Sequence, residues 1–150
     1  MNGPIVVVER EMTGEEFVRM NAGFDRHTVD HGNPVVADER HGFVAEDAGR
    51  FVGCSSGLAE RYDDRYGRWF YLTDLYVEEG YRGRGVGSRL LDALEAKVAG
   101  LGVCMIWTWT AGYEGVGFYE GRGYGRLCEL EDYYASGHAR VALWKSLRSG

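Results

Sequence analysis

The run of strand-forming and helix-forming segments along these 150 residues predicts a mixed α/β domain, with elements ordered β-α-β-β-β-α-β-α-β-β. Three observations carry this reading. A long strand candidate over Trp69–Val77 feeds a glycine-rich loop; the loop opens an amphipathic helix; and a second strand follows that helix. Strand, helix and strand in that order form a crossover, which in a shared sheet is right-handed and brings the two strands parallel. At 45% hydrophobic and 27% charged, the chain has the composition of one globular domain over 1–150, long enough to build its own core.

The β-branched run Ile5–Val8 reads as the first strand. Thr13 followed by Glu16 has the spacing of a capping box, and Phe17, Met20 and Phe24 then recur at helical intervals, so a helix or broken helical pair runs to about His31. Gly32-Asn33-Pro34 stops it. Phe43–Glu46 and Arg50–Leu58 flank the turn Asp47-Ala48-Gly49 and read as paired strands. Trp69–Val77 is nearly all aromatic or aliphatic, which predicts a strand covered on both faces. Val86, Leu90, Leu91, Leu94 and Val98 make one helical stripe, closed by Gly100-Leu101-Gly102. Val103–Thr110 is a strand, Gly115–Glu120 a short helix, and Tyr124–Leu130 with Arg140–Leu147 a closing hairpin.

Composition narrows the function. A net charge of -6 and a pI near 5.2 oppose nucleic-acid binding, which needs a basic face to displace counterions. No apolar run approaches the roughly 20 residues that cross a bilayer, and the N-terminus has no basic flank of a signal peptide. Cys54, Cys104 and Cys128 are an odd number without paired spacing and read as buried thiols in a reducing compartment, which points to the cytoplasm. His27 and His31 have the i, i+4 spacing of metal ligands, but the glutamate of the H-E-x-x-H pattern is missing and no metal is expected.

Glycine stands out, with 23 residues against two prolines. Arg82-Gly83-Arg84-Gly85-Val86-Gly87-Ser88 lies where a strand ends and a helix begins. The first turn of a helix offers unpaired N–H groups and the positive end of the dipole, and glycines let a phosphate touch them. Three glycines at alternate positions weaken a helix start that holds no ligand. The loop lacks the Gly-Lys-Ser/Thr ending of a P-loop, and its G-x-G-x-G spacing is not the G-x-G-x-x-G of a dinucleotide fold.

Arg82-x-x-Gly85-x-Gly87 fits the pattern Arg/Gln-x-x-Gly-x-Gly/Ala, and Phe118-Tyr119-Glu120-Gly121-Arg122-Gly123-Tyr124 follows after a helix and a strand. With both motifs in this order the chain resembles the GNAT superfamily of acyl-CoA-dependent N-acetyltransferases, most sharply over Leu72–Tyr124. The resemblance implies a sheet that splays between the Trp69–Val77 strand and the strand starting near Val103. It implies acetyl-CoA as co-substrate, with its pyrophosphate on the amides from Gly83 to Ser88 (Arg82, Gly83, Arg84, Gly85, Val86, Gly87, Ser88) and its pantetheine arm along Leu75, Tyr76 and Val77. It also implies that Tyr119 lies near the thioester sulfur as the acid for the departing thiolate.

Transfer to an amine needs the neutral amine, and a lysine-type amine with a pKa of about 10.4 loses its proton near pH 7 at a cost of roughly 4 kcal/mol. Thr73-Asp74-Leu75-Tyr76-Val77 resembles the acidic strand of the spermidine/spermine acetyltransferase branch, with Thr73 in place of its first acid, so Asp74 is the candidate to orient the amine or relay its proton. Many members carry an asparagine before the short helix; Trp109–Gly115 has none. Asp25, Asp30, Asp74, Glu131, Asp132, Tyr133 and Tyr134 are candidates to line a cavity for a cationic amine, either a small molecule or a protein amine. A homodimer is compatible with the family and with the apolar Val141–Trp144 segment. The rival reading is an acyl-CoA sensor that keeps the loop without turnover.

Overall fold

The computed structural model describes residues 3–148, and the chain falls into two compact units, Met1–Val35 and Val36–Gly150. In the first unit, Thr13 caps helix α1 (Gly14–Asp30): its hydroxyl accepts from the Glu16 amide while the Glu16 carboxylate accepts from the Thr13 amide. This is the capping box expected from the spacing, and Arg10 completes it with an ion pair to Glu16 at 2.8 Å. Ile5–Val8 is not a strand. A β-branched run has the right backbone preference, but a strand exists only when a neighbour takes its hydrogen bonds, and this run pairs with none.

The second unit is built on a six-stranded sheet with strands β1 (Ala37–Asp47), β2 (Arg50–Arg61), β3 (Tyr66–Val77), β4 (Met105–Ala111), β5 (Gly125–Leu130) and β6 (Arg140–Ser146), ordered β1-β2-β3-β4-β6-β5. Every neighbouring pair is antiparallel except β3 and β4. Those two are joined through helix α2 (Val86–Gly100), the expected crossover; a short helix α3 (Val116–Gly121) follows β4.

The apolar stripe of α2 buries Leu90, Leu91, Leu94 and Val98. Each such side chain taken from water stabilises by about 2 kcal/mol. Their partners on the sheet include Phe70, Leu72 and Ile106, all fully buried. Small residues on β2 let the helix come close. A Cβ on Gly53 would lie 3.2 Å from Leu90 Cδ1, and Ser55 donates its buried hydroxyl to the Leu90 carbonyl at 3.0 Å. β3 is covered unequally: Phe70 and Leu72 are buried, whereas Trp69 on the other face is 41% exposed. The expectation of a strand enclosed on both faces fails here, because aromatic side chains on this face stack on one another instead, Tyr71 on Trp107 at 4.4 Å and Trp69 near Trp144 at 5.9 Å.

Two further expectations change. None of the three cysteines is buried, and Cys128 is exposed because β5 is an edge strand with every residue exposed. The apolar residues Val141, Ala142 and Leu143 are buried within the unit, since β6 is an inner strand between β4 and β5, so they give no argument for a dimer. Among the described residues no helix is long and apolar enough to cross a membrane.

The core also encloses two phenols. Tyr119 is 7% exposed and Tyr124 is 4% exposed. Burial pushes the Tyr119 hydroxyl up to about 12 and raises Tyr124 as well, where Glu95 accepts its hydrogen bond at 2.8 Å. Glu95 also pairs with Lys145 at 2.7 Å, tying α2 to β6.

Two stability measurements follow from this packing. A Cβ on Gly57 would sit 2.3 Å from both Phe70 Cε1 and the Tyr71 carbonyl oxygen, so Gly57→Ala should destabilise by about 3 kcal/mol in urea unfolding. The second concerns alkali. An unfolded tyrosine ionises near pH 10, so between pH 10 and 12 the unfolded state sheds a proton that native Tyr119 keeps. Its contribution is complete below pH 10 and lost as pH rises toward 12. Across that window the parent should lose about 2–3 kcal/mol more than Tyr119→Phe, measured by unfolding at stepped pH.

Candidate active site

β3 and β4 pair over only three positions, Trp69 with Met105, Phe70 with Ile106 and Tyr71 with Trp107. Both strands then continue, β3 to Val77 and β4 to Ala111, without pairing further. At the fork the buried Thr108 hydroxyl donates to the Leu72 carbonyl at 2.9 Å. Beyond it, residues 74–77 of β3 pair with β2 on one side alone. Their other edge faces an opening, and a strand edge in an opening is a template for an extended ligand.

The glycine loop stands at the wide end of this opening. Gly83 and Gly85 have φ of +74° and +78°, a region that side-chain-bearing residues rarely adopt. Gly85 is the cap of α2, and no side chain caps the helix. Backbone hydrogen bonds resume with Arg89 donating to the Gly85 carbonyl, and the amides of residues 83–88 donate to no acceptor among the described residues. This is the geometry of an anion cradle. Arg82 fastens the loop to the end of β3, its Nε donating to the Val77 carbonyl at 2.9 Å.

Three cavities join along this line. The first, of about 390 Å³, is bounded by Arg82, Gly83, Gly85, Gly87, Ser88 and Phe118. It shares Val77, Arg82 and Phe118 with a second of about 340 Å³, which adds Leu75, Tyr76, Glu114 and Tyr119. That one shares Leu75, Tyr76, Thr110, Glu114 and Tyr119 with a third of about 280 Å³, on which Asp74, Trp109, Tyr134 and Arg140 also open. The three adjoining cavities form a row, the channel, that runs from the cradle past the splay, with Tyr119 on the wall shared by the second and third.

Most of the residues singled out from sequence therefore converge. Asp74, Leu75, Tyr76, Val77, Arg82, Gly83, Gly85, Val86, Gly87, Ser88 and Tyr119 all line the channel. Arg84 does not: it stacks over Tyr81 at 5.0 Å and borders a separate groove beside β1. Asp74 accepts a hydrogen bond from Thr73 at 2.7 Å and lies 3.8 Å from the Arg40 guanidinium. Arg40 in turn donates to Ser56 and Thr73, each at 2.9 Å. Asp25 and Asp30 belong to the first unit, and Glu131 and Asp132 do not border the third cavity.

Glu114 and Arg140 were not assigned a role from sequence. Glu114 lies in the segment where the asparagine of other members is missing; the neighbouring Gly115 amide donates to Thr110 Oγ1 at 3.2 Å, which shapes that turn. Arg140 is brought to Ala111 by strand pairing, a long-range register that local sequence does not encode. His27 and His31 have ring centroids 4.3 Å apart, and the described residues contain no group of three side chains placed for a metal ion.

Tyr119 keeps its proton at neutral pH, because burial dominates; the Glu114 carboxylate adds to the rise and the Thr108 hydroxyl opposes it. A neutral phenol at the junction of two cavities is a hydrogen-bond donor, not a base.

The comparisons with known proteins agree with this geometry. The family model "Acetyltransferase (GNAT) domain" matches residues 38–126. No curated protein sequence matches. Among solved structures, an acetyltransferase from Bacillus cereus ATCC 14579 is 20% identical with a TM-score of 0.77, over 93% of this chain and 97% of that one. An aminoglycoside 6'-N-acetyltransferase complexed with coenzyme A is 19% identical with a TM-score of 0.64, over 91% and 89%. Arabidopsis thaliana Naa50, in complex with the bisubstrate analogue CoA-Ac-MVNAL, is 22% identical with a TM-score of 0.61, over 70% and 72%. Since the family model spans more than half of the chain and runs through β1–β4, the glycine loop and the short helix, this protein belongs to the GNAT acetyltransferase family.

Proposed function

We propose that this protein transfers the acetyl group of acetyl-CoA directly to a primary amine. The observation that carries the reading is the row of adjoining cavities, with unpaired amides at one end, an open strand edge in the middle and a buried tyrosine on the wall shared by the last two. The amides of residues 83–88 suit a diphosphate, and the edge at Leu75, Tyr76 and Val77 suits the amide-bearing pantetheine arm, which it would bind as it would an added strand. The solved relatives that hold coenzyme A or a bisubstrate analogue support the same choice of co-substrate.

The chain's own groups then divide the work. Tyr119 donates a hydrogen bond to sulfur as negative charge develops there. With its pKa near 12 and an ordinary thiol near 8.5, outright proton transfer to the thiolate would be uphill by about 5 kcal/mol. Its role is therefore stabilisation through a held proton, and the amine's own proton is the better source for the thiol. Asp74 and Glu114 face the acceptor cavity and attract the amine, Asp74 being positioned by Thr73 and Arg40. Holding both reactants in one channel replaces a bimolecular encounter. No cysteine lines the three cavities, and direct transfer requires none.

Glu114 also bears on the sensor alternative. It supplies a second carboxylate at the cavity where Thr73 removed one, and this favours turnover.

Thiol release from acetyl-CoA with a panel of primary amines tests the reading. Tyr119→Phe should lower kcat by about 100-fold with little change in the Kd for acetyl-CoA, measured by calorimetry. Gly85→Ala forces a side chain into the left-handed region and should weaken coenzyme binding by about 10-fold instead. Tight acetyl-CoA binding with no thiol release from any amine would establish the sensor reading.

A further inference from the structure

The acceptor end of the channel carries a cation that the acetyl-transfer reading leaves without work. Arg140 opens β6, and its guanidinium carbon lies 4.9 Å from the Trp109 ring centroid and 5.2 Å from that of Tyr133. One nitrogen donates to the Tyr133 hydroxyl at 3.0 Å. Like several other arginines, Arg140 is in no ion pair among the described residues, but it is the arginine on the wall of the acceptor cavity. A guanidinium has five N–H donors in a fixed fork, and Tyr133 takes one. Contact with two rings and the hydrogen bond to Tyr133 restrain the side chain in advance, so less side-chain entropy remains to be lost when an acceptor arrives.

Its surroundings identify that acceptor. Arg140 borders the same cavity as Asp74, Glu114 and Tyr119. Asp74 already lies 3.8 Å from Arg40. Two carboxylates, Asp74 and Glu114, and one guanidinium, Arg140, therefore line the cavity, and Arg40, which is not on its wall, offsets the charge of Asp74 from behind. A polyamine would bring a second ammonium toward Arg140 and be repelled; a carboxylate would be taken by the open fork. We infer that the acetyl acceptor is a small amino-acid-type molecule, whose amine sits on the side of Asp74 and Glu114 while its carboxylate pairs with Arg140. This rests on the acetyl-transfer reading for the reaction, but it names the acceptor from a different set of groups.

Paired acceptors that differ by one carboxylate test it: lysine against cadaverine, ornithine against putrescine, tryptophan against tryptamine. In thiol release with acetyl-CoA, at least one carboxylate-bearing member should exceed its partner in kcat/KM by about 30-fold, chiefly through KM, the size expected of one charge-assisted fork. Arg140→Gln should bring that ratio close to one, and Arg140→Lys, which keeps the charge without the fork, should keep part of it. The inference is overturned if the decarboxylated member is preferred in every pair, or if the ratio survives in Arg140→Gln. A parallel readout needs no turnover: with coenzyme A present, the preferred amino acid should raise the Tm of the parent and of Arg140→Lys but not of Arg140→Gln. If no amine releases thiol and this Tm shift remains, acetyl transfer fails while the carboxylate site stands. If neither the release nor the shift depends on the carboxylate, the site is rejected.

Discussion

The site depends on an interruption in a sheet. Backbone N–H and C=O groups that lose a strand partner must find another, so two parallel strands that could keep pairing do not diverge without a cause. Here the divergence begins after Tyr71 and Trp107, where Thr108 turns its hydroxyl to the Leu72 carbonyl and occupies an acceptor at the fork. From that point β3 is held by β2 alone, with Ser55, Cys54 and Gly53 opposite Leu75, Tyr76 and Val77. The open edge is rigid because its other side is fully paired, and β2 is itself fixed under α2 through Gly53 and Ser55. The interruption in pairing is thus carried by good packing nearby.

The same packing decides what Tyr119 is able to do. It sits in the core with Phe118 and Tyr124, ring centroids 5.4 and 5.3 Å away, yet it also lines the second and third cavities. A solvent-exposed phenol would ionise near 10, somewhat closer to a thiol. Burial holds the proton more firmly and turns the residue from an acid that gives its proton up into a donor that keeps it. The hydrogen bond is also stronger in such a setting, because less water competes for it. In the proposed transfer, the core position of this residue and its chemical role are one property.

What the sequence made legible follows from how local each signal is. The capping box at Thr13 and Glu16, the stripe on α2 and the glycine loop all lie within a turn or two of chain, and each forms as its spacing predicts. Ile5–Val8 shows the limit of local preference, since its residues favour a strand but no partner strand takes their hydrogen bonds. Val141–Leu143 shows a second limit: an apolar run looks the same whether another subunit or an inner sheet position covers it. In the candidate site, the cradle and Tyr119 are written as motifs, whereas Glu114 and Arg140 arrive through a turn and a strand register that only the assembled sheet defines.

Net charge is a poor guide to the acceptor for the same reason. A chain at -6 suggests a cationic ligand, but the carboxylates responsible are spread over the surface, where water and salt screen them within about 10 Å. The mouth of the channel is governed by the few charges that border it. Arg40 stands against Asp74, so that carboxylate attracts an amine less than a lone one would. Glu114 and Arg140 are the remaining pair of opposite sign on the cavity. On the acceptor reading proposed above, selection there depends on whether a ligand matches both signs at once: an ammonium alone meets the guanidinium unanswered, and a carboxylate alone meets Glu114. A molecule carrying both charges satisfies each, and the aromatic faces of Trp109 and Tyr133 fix the position of the cation it must reach.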